Sequence, residues 1–266
     1  MDIIAYLACI FIGITLGLIG GGGSTLTIPV LVYLFSIDAV LATGYSLFIV
    51  GATSLIGAYS YLKKQLVNLK AAIVFGIPSI IAVFFTRTTI IPAIPDLIFE
   101  FGSFTLSKSL LLMLIFSILM IFASVSMIKP KKLSDKEEIE QKLEFNYPLI
   151  VIEGLIVGVL TGLVGAGGGF LIIPALVLFS KLPMKEAIGT SLLIIAAKSL
   201  IGFIGESMEV VIDWKFLLIV TSFAIVGIII GIALSKKIDG SKLKSAFGWF
   251  VLTMGVYIIL AETVFR

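Results

Sequence analysis

Histidine is absent from this sequence, and cysteine occurs once, as Cys9. Imidazole is the commonest metal ligand and the usual proton relay near neutral pH, so its absence argues against a metal centre and against acid–base catalysis by histidine. A single cysteine can form neither an internal disulfide nor a Cys-x-x-Cys redox pair. We therefore expect no metal, no cofactor and no catalytic residue, and we do not expect an enzyme.

Charge is also scarce, since 13% of the residues are charged and 59% are hydrophobic. A soluble domain has about 25% charged and about 45–50% apolar residues. Several apolar runs reach the ~18 residues that a helix needs to cross a bilayer. The composition predicts an all-α, polytopic protein of the cytoplasmic membrane, surrounded by the lipid bilayer. The net charge of +3 does not indicate a nucleic-acid partner, because membrane proteins carry excess Lys and Arg on cytoplasmic loops.

One stretch occurs twice. Residues 13–29 read GITLGLIGGGGSTLTIP and residues 158–174 read GVLTGLVGAGGGFLIIP, an offset of 145 residues that continues to Lys70 and Lys215 without an insertion. The chain is therefore expected to contain two homologous halves. The predicted units are a first transmembrane repeat (1–128), a charged cytoplasmic linker (129–146) and a second transmembrane repeat (147–266). We interpret the linker as a solvated connector, with a regulatory or partner-binding arm as the alternative.

Each copy contains a glycine cluster inside an apolar helix, at residues 20–23 and 167–169. Lipid cannot satisfy the backbone groups that such a break exposes, so it must be buried in protein or line a wet cavity. The short helix after each break presents free N–H groups and a partial positive charge. Paired discontinuous helices in two repeats are typical of the substrate site of a transporter.

Two further glycine pairs have the four-residue spacing of close helix packing, Gly13 with Gly17 and Gly158 with Gly162.

The two glycine loops are expected to converge near the middle of the membrane and to line one cavity. The predicted substrate-binding residues there are Gly22, Gly23, Ser24 and Thr25 in the first half and Gly167, Gly168 and Gly169 in the second. Ser46 and Ser191 lie early in matching spans. Their hydroxyls either donate to a bound oxyanion or bond to a carbonyl one turn back.

Lys198 lies in the middle of an apolar run, and its counterpart in the first half is Thr53. A lysine at the centre of a membrane helix costs about 2.5–3.5 kcal/mol on insertion scales. One interpretation is a structural ion pair with Glu153. The other makes Lys198 the fixed cation that attracts an anion, or the group whose proton is exchanged when the anion binds.

The doubled glycine pattern resembles the TauE/SafE sulfite exporters, also called toluene sulfonate uptake permeases. The segments Asp213-Trp214-Lys215 and Ala187-x-Gly189-Thr190-Ser191 are similar to that family too. The resemblance covers almost the whole chain and implies transport of small sulfur-containing anions such as sulfite, sulfoacetate or other organosulfonates. It also adds Thr190 to the candidate substrate ligands.

The first half departs from the family pattern at two places. Asn68-Leu69-Lys70 replaces the acidic-aromatic-basic triplet, and Gly44-Tyr45-Ser46 replaces Gly-Thr-Ser. The two halves are therefore not equivalent if these positions matter chemically.

Together the residues and the resemblance predict a secondary transporter for a small anionic substrate, in a chain that could form a homo-oligomer. The absence of an ATPase motif is compatible with proton coupling. The alternatives are a membrane scaffold or sensor without transport, and a cation permease that uses exposed carbonyls.

Charge in the loops predicts the topology. Basic clusters at residues 63–64, 129–132, 181–185 and 236–244 should share the cytoplasmic side, and the acidic loop at Glu206 and Glu209 should lie outside. Counting each short helix as a crossing gives an inverted repeat, which we prefer. Re-entrant glycine loops would instead give four spans per half and parallel repeats.

Overall fold

The computed structural model describes residues 2–21, 23–90, 93–95, 97–101, 104–128, 147–164, 169–178, 180–206 and 212–263. Ten α-helices have both ends in this part of the chain. In chain order they are α1 (Asp2–Ile19), α2 (Gly23–Pro29), α3 (Ala39–Leu62), α4 (Leu69–Phe85), α5 (Lys108–Ile128), α6 (Tyr147–Val164), α7 (Gly169–Leu178), α8 (Met184–Glu206), α9 (Trp214–Lys237) and α10 (Gly240–Thr263). A π-helical turn extends α2 (Val30–Leu34) and another extends α4 (Thr86–Ile90).

The helices follow the apolar runs of the sequence. By length and composition alone, five helices of the described part can cross a membrane, over Leu41–Leu62, Leu69–Ile90, Met184–Ile204, Trp214–Lys237 and Gly240–Leu260. Helices α1 and α6 contain shorter apolar stretches, Ile3–Ile19 and Pro148–Leu163. Large apolar side chains also cover the outside of the bundle; Ile3 is 78% exposed and Phe84 is 70% exposed. The fold is that of a polytopic helical membrane protein, as the composition predicts.

A short β-hairpin was missed by the all-α prediction. Strands β1 (Leu97–Phe101) and β2 (Phe104–Ser107) pair antiparallel, with Phe99 opposite Leu106 and Phe101 opposite Phe104. Aromatic and β-branched residues favour extended backbone. Runs of five and four residues are too short for a membrane-span pattern to reveal them.

Helices α1 and α9 pack with their backbones in direct contact. A Cβ atom at Gly13 would meet the carbonyl oxygen of Ala224, and one at Gly17 would lie 2.5 Å from the carbonyl oxygen of Ile228. Since both residue numbers increase together, the two helices run parallel. The glycine spacing therefore serves close helix packing, as the sequence predicts.

The same arrangement recurs between α4 and α6. A Cβ at Gly158 would lie 2.5 Å from the carbonyl oxygen of Ser79, and one at Gly162 would lie 2.8 Å from Cβ of Thr86. The offset of 145 residues maps α1 onto α6 and the start of α4 onto the start of α9. The two parallel pairs are thus copies of each other, and each pair joins a helix before residue 129 to one after residue 146.

Helices α3 and α8 cross at the centre of the bundle in opposite directions. A Cβ at Gly51 would lie 2.9 Å from the side chain of Leu200, and one at Gly57 would lie 3.0 Å from Leu192. Helices α5 and α10 are also antiparallel, because Gly248 packs on Ile128 and Gly255 on Met120.

The bundle has two ends that we name by their residues. The Asp213 face holds the starts of α3 and α9, joined by the hydrogen bond from Asp213 N–H to the Tyr45 hydroxyl (2.8 Å). The Lys64 face holds the ends of α3 and α9, where burial and then the ammonium of Lys236 lower the pKa of Lys64. Within this face Lys64 Nζ also lies 5.1 Å from the ring centroid of Tyr61.

The short helix α2 runs back along α1 towards the Asp213 face. Gly23, at its start, lies against Leu16 and the carbonyl of Ile12, in the second half of α1. Phe35, after its π-helical turn, packs edge-on against Tyr6 near the start of α1 (ring centroids 5.5 Å apart).

Helix packing gives a first test. Gly13→Ala should lower the melting temperature of the purified protein, because the new methyl group overlaps the α9 backbone; overpacking of this kind costs about 1–3 kcal/mol. Gly76→Ala is the matched control, since its Cβ would lie 3.6 Å from the nearest atom, an ordinary contact with Ile194. Both changes favour the helix equally. Equal melting temperatures would contradict the direct contact of α1 and α9.

Candidate functional site

The first glycine break is held by helix α8. Gly20 has φ of +74°, a backbone conformation that glycine adopts without strain. A Cβ at Gly20 would lie 2.9 Å from Ser191 Oγ. The Ser191 hydroxyl lies 3.2 Å from the Gly20 carbonyl oxygen and 2.9 Å from the Ile188 carbonyl oxygen, and it donates to them. Ser191 thus makes the bond one turn back that the sequence suggested, and it also reaches the break.

The start of α7 meets the first break. A Cβ at Gly169 would lie 3.2 Å from Cα of Gly21 and 2.7 Å from the side chain of Ile195 on α8. Helices α2 and α7 also touch. The chain segments on either side of the two breaks therefore come together against α8.

The other residues predicted for these loops are less fully described. Gly22, Gly167 and Gly168 lie outside the described residues. Ser24 and Thr25 belong to the first turn of α2. Ser46, the duplicate of Ser191, is buried in α3 with 6% of its surface exposed.

The side chain of Lys198, on α8, is buried and forms a hydrogen bond with the end of α6. Its side chain is 8% exposed, and Nζ donates to Thr161 Oγ1 over 2.6 Å. Thr161 lies in the last turn of α6, immediately before the second glycine break, and its hydroxyl donates to the Gly158 carbonyl oxygen (3.1 Å). The ammonium of Lys198 is therefore held beside the second break.

The ion pair between Lys198 and Glu153 is not formed in this structure. Glu153 Oε2 accepts a hydrogen bond from Ser180 Oγ (3.1 Å), and Oε1 has no hydrogen-bond partner among the described residues. Glu153 lies eight residues before Thr161 on α6, which is about 12 Å along the helix at 1.5 Å per residue. Both side chains are buried, but they lie at different levels along α6.

Buried hydroxyl groups also lie at positions that, with one exception, the sequence did not single out. Five of them have no hydrogen-bond partner in the described part of the chain, those of Thr53, Ser54, Ser79, Thr86 and Ser199. A buried polar group without a partner costs about 1–3 kcal/mol. Only Thr53 stood out in the sequence, as the counterpart of Lys198. Small hydroxyl residues inside apolar helices are the signal that could have drawn attention to the others.

Thr190 holds the start of α4. Its Oγ1 accepts a hydrogen bond from the backbone N–H of Asn68 (2.9 Å). The copy of this bond at the opposite face joins the N–H of Asp213 to the hydroxyl of Tyr45. The structure therefore places the Thr190 hydroxyl at Asn68, and it is Ser191 that contacts Gly20.

The described residues contain no group of three or more His, Cys, Asp or Glu side chains that could hold a metal ion.

The profile of the sulfite exporter TauE/SafE family matches residues 5–258. The chain belongs to this family. As a TauE/SafE member it is a multi-pass membrane protein of the cell membrane. The family match also supports a role as a membrane transporter.

Curated relatives of this TauE/SafE chain span almost its whole length. The probable membrane transporter protein YdhB of Bacillus subtilis is 30% identical over 242 residues, 90% of this chain and 93% of the relative. A probable membrane transporter protein of Methanocaldococcus jannaschii is 30% identical over 263 residues, 94% of this chain and 92% of the relative. One from Xylella fastidiosa is 27% identical over 251 residues, 93% and 91% of the two chains. No solved structure matches the chain.

Each of the two departures from the TauE/SafE pattern has a hydrogen-bond partner in the second half. Tyr45, which replaces threonine in the first half, bonds to Asp213 of the second half. Asn68, which replaces the acidic residue, bonds to Thr190. Sequence alone identified both departures but did not indicate their partners in the second half, because these contacts follow from how the halves pack.

Removing either hydroxyl should destabilise this TauE/SafE protein. Tyr45→Phe and Thr190→Val each leave a helix-start N–H without its acceptor, which we expect to cost about 1–3 kcal/mol. Thermal unfolding of the purified variants measures the loss. Tyr59→Phe is the control, because Tyr59 is 58% exposed on the outside of α3. Unchanged melting temperatures for both variants would show that these bonds do not hold the two faces.

Proposed function

We propose that this protein is a secondary transporter that moves a small sulfur-containing anion, such as sulfite, sulfoacetate or another organosulfonate. The anion is bound between the two glycine breaks near the middle of the membrane. The observation that carries the proposal is the buried ammonium of Lys198, fixed by Thr161 beside the second break. A buried cation in a membrane helix is costly, and such residues commonly mark substrate or ion pathways.

Two further features support an anion at this place. The chain on either side of the breaks converges at Gly21 and Gly169. Helix α7, ten residues long, begins at Gly169, and the start of a helix presents unpaired N–H groups with a partial positive charge. Ser191, whose hydroxyl donates to the Gly20 carbonyl oxygen, holds the first break next to this place.

Family membership supports the choice of a sulfur oxyanion. The contacts described above favour an anion in general, whereas the family description names sulfite. The cation-permease alternative requires a carboxylate at the breaks, and its one candidate, Glu153, is bonded to Ser180 well before the end of α6.

We further propose that the two repeats, 1–128 and 147–266, form an inverted pair with residues 129–146 as the cytoplasmic linker. The parallel pairs α1–α9 and α4–α6 are copies, and the central helices α3 and α8, also copies, run in opposite directions. An inversion of one repeat relative to the other accounts for the parallel direction within each of the two pairs and for the opposite directions of α3 and α8.

The same proposal assigns the Lys64 face to the cytoplasm. Lys64 and Lys236 lie together there, and Lys181 precedes the start of α8 near the same face. Positively charged loops favour the cytoplasmic side. Both chain ends then lie outside the cell.

Cysteine labelling tests this topology. Ser241, exposed at the start of α10, should be cytoplasmic. Ser241→Cys should therefore react with a membrane-impermeant maleimide only after the cells are permeabilised. The native Cys9 is 1% exposed and gives little background. Glu206→Cys in an otherwise identical protein should react in intact cells. Labelling of Ser241→Cys in intact cells would exclude the inverted arrangement.

Substitution of the buried lysine tests the site. Lys198→Met should reduce anion affinity at least tenfold while the protein remains inserted and folded, since the fixed positive charge is lost. The measurement is the rise in melting temperature of the purified protein with sulfite, sulfoacetate, taurine or chloride, followed by uptake into proteoliposomes. A ligand at 100 times its Kd stabilises by about 2.7 kcal/mol, so binding is readily detected.

Lys215→Met, at an exposed position in the first turn of α9, is the matched control and should behave as wild type. Normal transport by Lys198→Met would remove the lysine from the site. Wild-type protein that neither binds nor transports any of these anions would favour the scaffold alternative.

A further inference from the structure

The duplication makes the two glycine breaks directly comparable, and their surroundings differ. At the second break Lys198 and Thr161 are joined by a buried hydrogen bond. The duplicate positions at the first break are Thr53 and Leu16. At these duplicate positions a hydroxyl stands in place of the ammonium, and an aliphatic side chain stands in place of the hydroxyl that fixes it.

At the first break, the position that corresponds to Thr161 is occupied by the apolar side chain of Leu16. It is fully buried, and its side chain lies against Gly23 at the start of α2. Thr53 Oγ1 has no hydrogen-bond partner among the described residues. The charged hydrogen bond of the second break is thus not repeated between the corresponding residues of the first break.

Thr161 is suited to orient the lysine. Its hydroxyl proton is directed to the Gly158 carbonyl oxygen, so its oxygen is available as an acceptor and receives one N–H of Lys198. An ammonium has three N–H donors on a flexible stem. A short bond to a side chain that is itself fixed restricts where Nζ can lie.

We propose that the second break alone supplies the charged ligand of the anion bound between the breaks, and that Thr161 is the positioning residue that holds Lys198 for it. The inference rests on the proposed function and makes it more specific. The charged ligand is supplied asymmetrically, by one half of a duplicated protein. The ligand class is a small oxyanion whose oxygens accept hydrogen bonds from the ammonium.

A matched pair of substitutions tests this. Thr161→Val and Thr53→Val each remove one buried hydroxyl and keep the shape of the side chain. We expect Thr161→Val to weaken sulfite or sulfoacetate binding about tenfold, since Lys198 loses the acceptor that Thr161 provides, and Thr53→Val to bind as wild type. Thr161→Ser keeps the hydroxyl and should restore affinity to within about twofold. Thr161→Leu, which introduces the residue of the first half, provides a second variant without the hydroxyl.

Affinity is measured from the anion-dependent rise in melting temperature of the full chain, with the anion-free melting temperature as the readout of folding. A purely structural role would lower the anion-free value and leave affinity intact, which would overturn the proposal. Equal losses in Thr161→Val and Thr53→Val would show that both breaks contribute equally to anion binding and would overturn it as well. Wild-type protein without anion binding is a different result, because it removes the proposed function itself.

Discussion

The direct contact of helix backbones at glycine is the constraint on which this structure depends. Inside a bilayer, burial of apolar side chains adds little to helix association, because lipid is as apolar as the helix surface. Close packing at small residues takes its place. Gly13 and Gly17 bring α1 against α9, and Gly158 and Gly162 bring α6 against α4. Because each contact joins the two halves, neither half can form its helix pairs alone.

This packing decides where the glycine breaks lie. Gly17 contacts α9 only three residues before Gly20, so the end of α1 is fixed where the first break begins. Helix α8 then supplies Ser191 to one break and Lys198 to the other. The paired helices thus fix the ends of α1 and α6, which the two glycine segments follow in the sequence.

Much of the fold could be predicted from the sequence, because apolar length and glycine spacing are local properties. Helices α3 (Ala39–Leu62) and α4 (Leu69–Phe85), for example, coincide with apolar runs of the sequence. The partner of Lys198 could not be predicted in this way. Glu153 was chosen by opposite charge, but the packing of α8 on α6 brings Thr161 to the lysine instead. Which polar groups meet depends on helix rotation and register, and a single sequence records neither directly.

The crossed bonds at the two faces have a consequence for how such a duplicated chain diverges. Tyr45 bonds to Asp213 and Thr190 to Asn68, so each copy supplies the hydroxyl that the other copy requires. A dimer of two first halves would oppose Tyr45 to Asn68, and a dimer of two second halves would oppose Thr190 to Asp213. The present partners occur only when one of each copy is combined. The donor in each bond is a backbone N–H, which any residue except proline supplies. These two bonds therefore require a hydroxyl at positions 45 and 190, where tyrosine and threonine both serve, and they place no demand on the side chains at 68 and 213.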